Sequence, residues 1–315
     1  MGLPILITGG TGFVGKHLIQ LLVQRGDSVA VLSSSLSSGQ QSGVRYYEAD
    51  VRDRDRVREI VREVNPTQLF HLAGITAVDA SWANPRLTYE VNVWGAYNVF
   101  EAAMHLSSPP AILNVSTSQV YARSSEKLSE SSPVAPDNPY SASKAMAELL
   151  RIEFKNCSTG RIVTARPFNH SGPGQAPNFV LSSMAKQFAE IELGLRPAKL
   201  SLGNIEIKRD FTDARNVVEA YALLLEKGNT GEIYNVCSGS AVGLSEIIKM
   251  FEAAANQPIE VEVDPSKVRP NEPRNICGNP DKITSETGWS PKIPLQKTVS
   301  DLLDYWKSKL REGVA

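Results

Sequence analysis

Cysteine is scarce in this 315-residue chain: Cys157, Cys237 and Cys277 are odd in number, far apart and outside any CxxC pairing. That spacing excludes a disulfide framework and a zinc site, and a reducing, cytoplasmic setting is expected. No 18 apolar residues run together, so no transmembrane helix is expected. The opening Met1-Gly2-Leu3-Pro4-Ile5-Leu6-Ile7-Thr8 has no basic flank, its apolar run is short for a signal peptide, and Leu6 spoils a myristoylation match. It reads as a first strand. Charge of one sign is also missing: 33 basic and 34 acidic side chains leave a net charge of -1, which argues against a generic nucleic-acid binder while leaving local anion sites open. With 42% hydrophobic residues the chain is not disordered, and its length suits two domains or one domain with a lobe.

Short aliphatic runs alternate with amphipathic stretches from residue 3 to about 166. Strands are predicted at Leu3 to Thr8, Ser28 to Leu32, Tyr46 to Ala49, Gln68 to Leu72, Ala111 to Ser116 and Ile162 to Ala165. Helices are predicted near 13–25, 53–63, 86–105 and 140–156. Such alternation implies right-handed crossovers and a doubly wound parallel α/β sheet of the Rossmann type, covered on both faces. After residue 167 prolines and glycines break up shorter elements, as in Gly172-Pro173-Gly174-Gln175-Ala176-Pro177, which indicates a smaller α/β substrate-binding lobe. The apolar Ile233-Tyr234-Asn235-Val236 returns to the sheet. The predicted division is therefore residues 1–166 with 214–240 for the dinucleotide domain, and 167–213 with 241–315 for the lobe.

The first strand runs straight into Gly9-Gly10-Thr11-Gly12-Phe13-Val14-Gly15, which opens a helix. Glycines at 9, 12 and 15 permit a tight turn, close approach of backbone to a pyrophosphate, and close packing of helix on strand, while the helix N-terminus supplies N–H donors. Gly9, Thr11, Gly12, Phe13 and Val14 are the expected phosphate-side contacts. An NAD-specific site would place a carboxylate at the end of the second strand, and here Leu32-Ser33-Ser34-Ser35 has none. Ser33 and its neighbours, helped by Lys16 or Arg25, favour NADP, with NAD open. Asp50 and Val51 are placed near adenine, and Leu72, Ala73 and Gly74 where the cofactor passes the backbone. The low-complexity Ser33 to Gly39 stretch is a solvated loop or a ligand contact.

Tyr140-Ser141-Ala142-Ser143-Lys144 sets Tyr and Lys at i and i+4 on one face of a helix that starts just after Pro139. A phenol near pKa 10 needs a neighbouring cation to work as acid or base at neutral pH, and Lys144 with an oxidised nicotinamide provides it. Together with the glycine motif, His71-Leu72-Ala73-Gly74, Asn92 in Tyr89-Glu90-Val91-Asn92-Val93-Trp94-Gly95, and the strand end Ser116 to Tyr121, these residues resemble the extended short-chain dehydrogenase/reductase superfamily over essentially the whole chain. The resemblance implies that Tyr140 is the general acid/base, that Lys144 orients it and binds the nicotinamide ribose, and that Thr117 or Ser118 polarises a substrate carbonyl. Asn92 is implied to be a buried polar residue of the helix core.

The likeness continues through Arg166-Pro167-Phe168-Asn169-His170-Ser171-Gly172-Pro173-Gly174-Gln175, Lys208-Arg209-Asp210-Phe211-Thr212-Asp213 and Arg269-Pro270-Asn271-Glu272, and resembles most the GDP-mannose 4,6-dehydratases and related GDP-4-keto-6-deoxymannose reductases. By that resemblance Asn169 contacts the sugar or its phosphate. Arg209 and Arg269 suit a diphosphate, because a guanidinium fork matches phosphate oxygens. Glu272 accepts from a ribose hydroxyl, and Lys186 is counted with the substrate-binding residues. Gln119 departs from the dehydratases, which carry a glutamate there to remove the C5 proton; a neutral amide is no general base. Nor is the cysteine used by fucose-forming epimerase-reductases present. The expected activity is NAD(P)H-dependent reduction of a nucleotide 4-keto-6-deoxyhexose, GDP-4-keto-6-deoxy-D-mannose foremost, to a GDP-6-deoxyhexose such as GDP-D-rhamnose, in a homodimer with no nucleic-acid or membrane partner. A 4-epimerase, a 4,6-dehydratase and a silent nucleotide-binding homologue stand as alternatives.

Overall fold

The computed structural model describes residues 2–36, 40–155, 160–268 and 273–313. Its centre is a seven-stranded, all-parallel sheet built from β1 (Pro4–Thr8), β2 (Ser28–Ser33), β3 (Arg45–Glu48), β4 (Gln68–His71), β5 (Ala111–Val115), β6 (Arg161–Pro167) and β10 (Ile233–Val236), in the spatial order β10-β6-β5-β4-β1-β2-β3. Strands buried on both faces lose the alternation of half-exposed strands, which is why Ile5-Leu6-Ile7 and Val29-Ala30-Val31-Leu32 are continuously apolar.

One face is covered by α1 (Phe13–Gln24), α8 (Ala214–Lys227) and α10 (Asp281–Thr287), the other by α2 (Arg54–Val64), α5 (Gly95–Met104) and α6 (Pro139–Lys155). The chain runs β1 to β2 to β3 outward, then crosses back to lay β4 on the other side of β1. That reversal opens a crevice above the carboxyl ends of β1 and β4, the place where open α/β sheets bind ligands.

The helix predicted over 86–105 is one run of helical turns, α4 (Pro85–Tyr89), a π-helical turn (Glu90–Trp94) and α5, and a further short helix, α3 (Val78–Ala83), is set off ahead of it. Asn84 supplies the break: its side chain accepts from the Leu87 N–H at 3.0 Å, and Pro85 follows as the first helical residue.

The second half adds β7 (Asn169–Ser171), α7 (Val180–Glu192), β8 (Lys199–Leu202), β9 (Lys208–Asp213), β11 (Ala241–Gly243), α9 (Leu244–Ala255), β12 (Glu260–Val263), β13 (Asn275–Ile276) and α11 (Leu295–Arg311). β9 pairs with β7, β11 and β13, β8 pairs with β12, and α7, α9 and α11 enclose a separate core around Phe188, Phe251 and Trp306. Ile283 and Trp289, in a stretch assigned from sequence to the lobe, pack instead into the core of the large sheet. Among the described residues no helix is long and apolar enough to cross a membrane, and no group of three or more His, Cys, Asp or Glu could hold a metal ion.

Candidate active site

The glycine motif forms the floor of the crevice. Gly9 leaves β1 with φ +70°, a left-handed conformation open to glycine, and a Cβ there would lie 2.7 Å from the Ala73 nitrogen. The two strand ends therefore touch through backbone alone. Gly15 abuts Gly10, where a Cβ would meet the carbonyl oxygen at 2.5 Å, so α1 packs directly on the turn. Gly12 caps α1 without a side-chain hydrogen bond, and no acidic residue occupies the first turn. The N–H groups of Phe13 and Val14 thus begin a helix whose positive end has no carboxylate beside it, a cradle that fits a diphosphate.

Thr11 and Ser33 join hydroxyl to hydroxyl at 2.6 Å on the far wall. Asp50 is turned to Arg52, accepting from its backbone N–H at 2.9 Å and from its guanidinium, which holds the carboxyl below the usual range. Val51 is buried against Gly95, and Asn98 donates to the Val51 carbonyl at 3.0 Å. Leu72 and Ala73 are tied to Thr8, by its carbonyl at 3.1 Å and its hydroxyl at 3.3 Å. Gly74 lies where a Cβ would come 2.9 Å from Asn92 Oδ1 and 3.3 Å from Lys144 Nζ. These distances bring the cofactor-side residues of three separate strand ends to one rim.

α6 begins at Pro139, with Asn138 as its cap: the Asn138 side chain accepts from the Ser141 N–H at 2.9 Å. This start puts Tyr140 in the first turn, beside the end of β5. The Thr117 side chain lies close enough to Tyr140 to act on its phenol. Burial raises the phenol above its ordinary value and the Thr117 contact opposes the rise. Lys144 donates to the Val115 carbonyl at 2.8 Å, and burial pulls its ammonium down to about 8, with the charge of Glu148 pulling the other way. Ser118 is buried as the first residue of a short 3-10 turn, whereas Gln119 next to it is exposed.

Four residues outside the predicted site, Asn92, Thr8, His71 and His170, hold it together. Asn92 accepts from the Ile75 N–H at 2.7 Å and donates to the Ile75 carbonyl at 3.0 Å and to Ser143 Oγ at 2.9 Å, so one amide fixes the Gly74 loop to α6. The sequence signal for this role is absent, since a helical Asn looks alike whether it serves a π turn or faces solvent. Thr8 and His71 hydrogen-bond at 2.8 Å across β1 and β4, and burial pushes His71 down to about 3. His170 stacks on Phe13, with centroids 6.3 Å apart, and bonds the Phe168 carbonyl, wedging the lobe entrance against α1.

On the lobe side, Asn169 opens β7 and Arg209 lies buried in the paired strand β9, so both belong to one small sheet. Lys186 is placed elsewhere in the lobe, 3.8 Å from Glu190 and over the Trp306 ring at 5.5 Å. Arg269 and Glu272 lie outside the described residues, as do Cys157 and the stretch 37–39.

The GDP-mannose 4,6 dehydratase family matches residues 6–302. The chain belongs to that family. Within it the chain is 33% identical to GDP-6-deoxy-D-mannose reductase of Pseudomonas aeruginosa over 98% of both proteins. The structure of RMD from Pseudomonas aeruginosa complexed with NADPH superposes with a TM-score of 0.85, 31% identity and coverage of 97% of this chain and 99% of that one. The Thermus thermophilus UDP-glucose 4-epimerase complex with NAD gives 0.83, 30% identity, and coverage of 96% and 98%. The family relation makes this protein an oxidoreductase enzyme of the extended short-chain dehydrogenase/reductase superfamily, among reductases, dehydratases and epimerases of nucleotide sugars.

Proposed function

We propose that the protein reduces the C4 ketone of a GDP-linked 4-keto-6-deoxyhexose, GDP-4-keto-6-deoxy-D-mannose foremost, with NADPH. The observation that carries this reading is the placement of Thr117 beside Tyr140 at the carboxyl edge of the sheet, next to a Gln119 that offers no carboxylate. A reductase needs a proton donor and a hydroxyl at the carbonyl; a dehydratase needs a base as well.

When bound, the reduced nicotinamide supplies the hydride. Tyr140 delivers its proton to the developing C4 alkoxide, Thr117 or Ser118 stabilises that oxygen, and Lys144 holds the ribose and keeps Tyr140 in register. Gly9, Thr11, Gly12, Phe13 and Val14 take the cofactor diphosphate, Leu72, Ala73 and Gly74 line its path, Asp50 and Val51 flank adenine, and the Thr11–Ser33 hydroxyls receive the 2′-phosphate, with no strand-end carboxylate to repel it. Asn169 and Arg209, on one small sheet, are assigned to the nucleotide-sugar side, and the family resemblance adds Arg269 and Glu272; Lys186, set against Glu190 and Trp306, stands apart from them. The likeness to the NADPH-complexed Pseudomonas structure and to the reductase relative supports both the reaction and the cofactor.

The likeness to the Thermus epimerase favours one second reading, a C4 epimerase using the same Tyr140 and Lys144. Mixing the protein with NADPH and enzymatically generated GDP-4-keto-6-deoxymannose separates the two. Stoichiometric loss of NADPH absorbance, faster than with NADH, supports the reductase. Tight NAD retained through purification, with no net NADPH loss, supports the epimerase.

The division into a dinucleotide domain (1–166 with 214–240) and a lobe (167–213 with 241–315) is part of the same reading, with the stretch carrying Ile283 and Trp289 resting on the large sheet, as is a homodimer. Met146, Leu149 and Ile152 make an exposed apolar row on α6, and Trp82 and Trp94 stand exposed on elements packed against that helix, so a second copy of the chain is the occupant that fits the expected dimer.

A further inference from the structure

Glu148 follows Lys144 by four residues and Tyr140 by eight, so all three share one face of α6. Its carboxylate is buried, and Arg166 of β6 grips both oxygens, Nε to Oε1 at 2.8 Å and Nη2 to Oε2 at 2.6 Å. Ser116 Oγ donates to Oε1 at 2.5 Å. Ser116 precedes Thr117 in the chain and follows Val115, whose carbonyl takes the Lys144 ammonium. The Arg166 guanidinium stacks over Tyr121, 4.6 Å from the ring centroid, and the Tyr121 hydroxyl donates to Asn235 Oδ1 of β10 at 2.6 Å.

A fold alone does not call for such a pair, because a buried ion pair is often replaced by apolar residues without loss of stability. This one stands where a charge reaches the reaction centre. We propose that Glu148, clamped by Arg166, is a positioning residue of the active site: through Ser116 it sets the spacing of Thr117 from Tyr140, and it is the counter-charge that keeps the Lys144 side chain an ammonium in a dry site. The proposal rests on the assignment of Tyr140, Lys144 and Thr117 to the reaction, and not on which sugar is turned over.

The charged or titratable groups that interact with Lys144 are Glu148, four residues on along α6, and His71 from β4, with Arg166 of β6 behind the carboxylate and Tyr140 one turn back on α6; Gly74 and Asn92 present neutral atoms. Of these Glu148 is the one that raises the Lys144 pKa, against the burial that draws it down to about 8.

The test is a pH titration of the Lys144 13Cε resonance in cofactor-free protein labelled with 13C-lysine, the signal being assigned by its loss in Lys144→Arg. In Glu148→Gln the midpoint falls by about one pH unit, the scale of a lost opposite charge at close range. Glu148→Asp, which keeps the charge, recovers most of that fall. Should Glu148→Gln fail to fold, the double variant Glu148→Leu/Arg166→Met, which strands no charge, carries the measurement and shows a smaller downward shift, because the Arg166 charge behind the carboxylate is removed with it. A Lys144 midpoint equal to wild type in either folded variant overturns the proposal. Where turnover is seen, the alkaline limb of kcat/KM moves down with the Lys144 midpoint, and a limb that stays in place while the midpoint moves overturns the link to the reaction. A shifted midpoint with no turnover on GDP-4-keto-6-deoxymannose faults the substrate reading and leaves Glu148 its role.

Discussion

Tyr140 is buried with Thr117 beside it. Burial penalises the phenolate and so keeps the phenol protonated, the form that has a proton to give, while the Thr117 contact eases its release. Tyr140→Phe is expected to lower turnover by about a hundred- to ten-thousand-fold, the usual worth of a positioned acid, with NADPH affinity by fluorescence titration nearly unchanged. His71 makes a second prediction. Its folded pKa is pushed from 6.5 to about 3 by burial, so as pH falls below 6.5 the unfolded chain takes up a proton that the native chain refuses. Stability is therefore complete near pH 7 and is lost on acidification through the window from 6.5 down to 3. At pH 5 the loss from this group is about 2 kcal/mol, and His71→Gln should shrink the difference between urea midpoints at pH 7 and pH 5. An unchanged difference in that variant would remove His71 from the account of acid sensitivity.

Two elements carry the rim of the site, the start of α1 and the π turn. Gly15→Ala drives a methyl against the Gly10 backbone, which has no side chain to swing aside. The expected result is a stability loss of about 1–3 kcal/mol by urea unfolding, with NADPH affinity weakened as α1 lifts from the strand. Asn92→Ala strands the Ile75 N–H and removes the tie to Ser143, for an expected cost of about 1–3 kcal/mol and a looser Gly74 loop, read as faster amide exchange at residues 74–76. The glycine motif was legible because three glycines at fixed spacing are a local pattern. The π turn was not, since Glu90-Val91-Asn92-Val93-Trp94 has the same apolar periodicity as the helices on either side. Its extra backbone residue comes from what Asn92 must reach across the fold, 17 positions back in the chain. Asn84, just ahead of the helix expected over 86–105, caps its start and separates it from α3.

The exposed row Met146, Leu149 and Ile152 bears on the scale of the whole molecule. If it is the dimer face, Leu149→Glu yields a monomer by sedimentation with the far-ultraviolet spectrum of the wild type, since the side chain is 58% exposed and no core contact is lost. A dimer that survives Leu149→Glu would place the interface elsewhere. Over the whole chain, strand and helix alternation to residue 166 was legible, with most boundaries within a residue or two, because burial on both faces imposes continuous apolar strands. Beyond 167 short strands such as β7, β11 and β13 span two or three residues, too few to leave a period. Cofactor chemistry, the Tyr140–Lys144 face and the absence of a base at Gln119 were all written in contiguous residues. Only the folded sheet decided that Thr8, His71, Gly74, Asn92 and Lys144 meet at one rim, and that Glu148 and Arg166 close behind them. Those contacts join residues from 17 to 70 positions apart through strand order and register, and such pairings leave no mark on any one stretch of the chain.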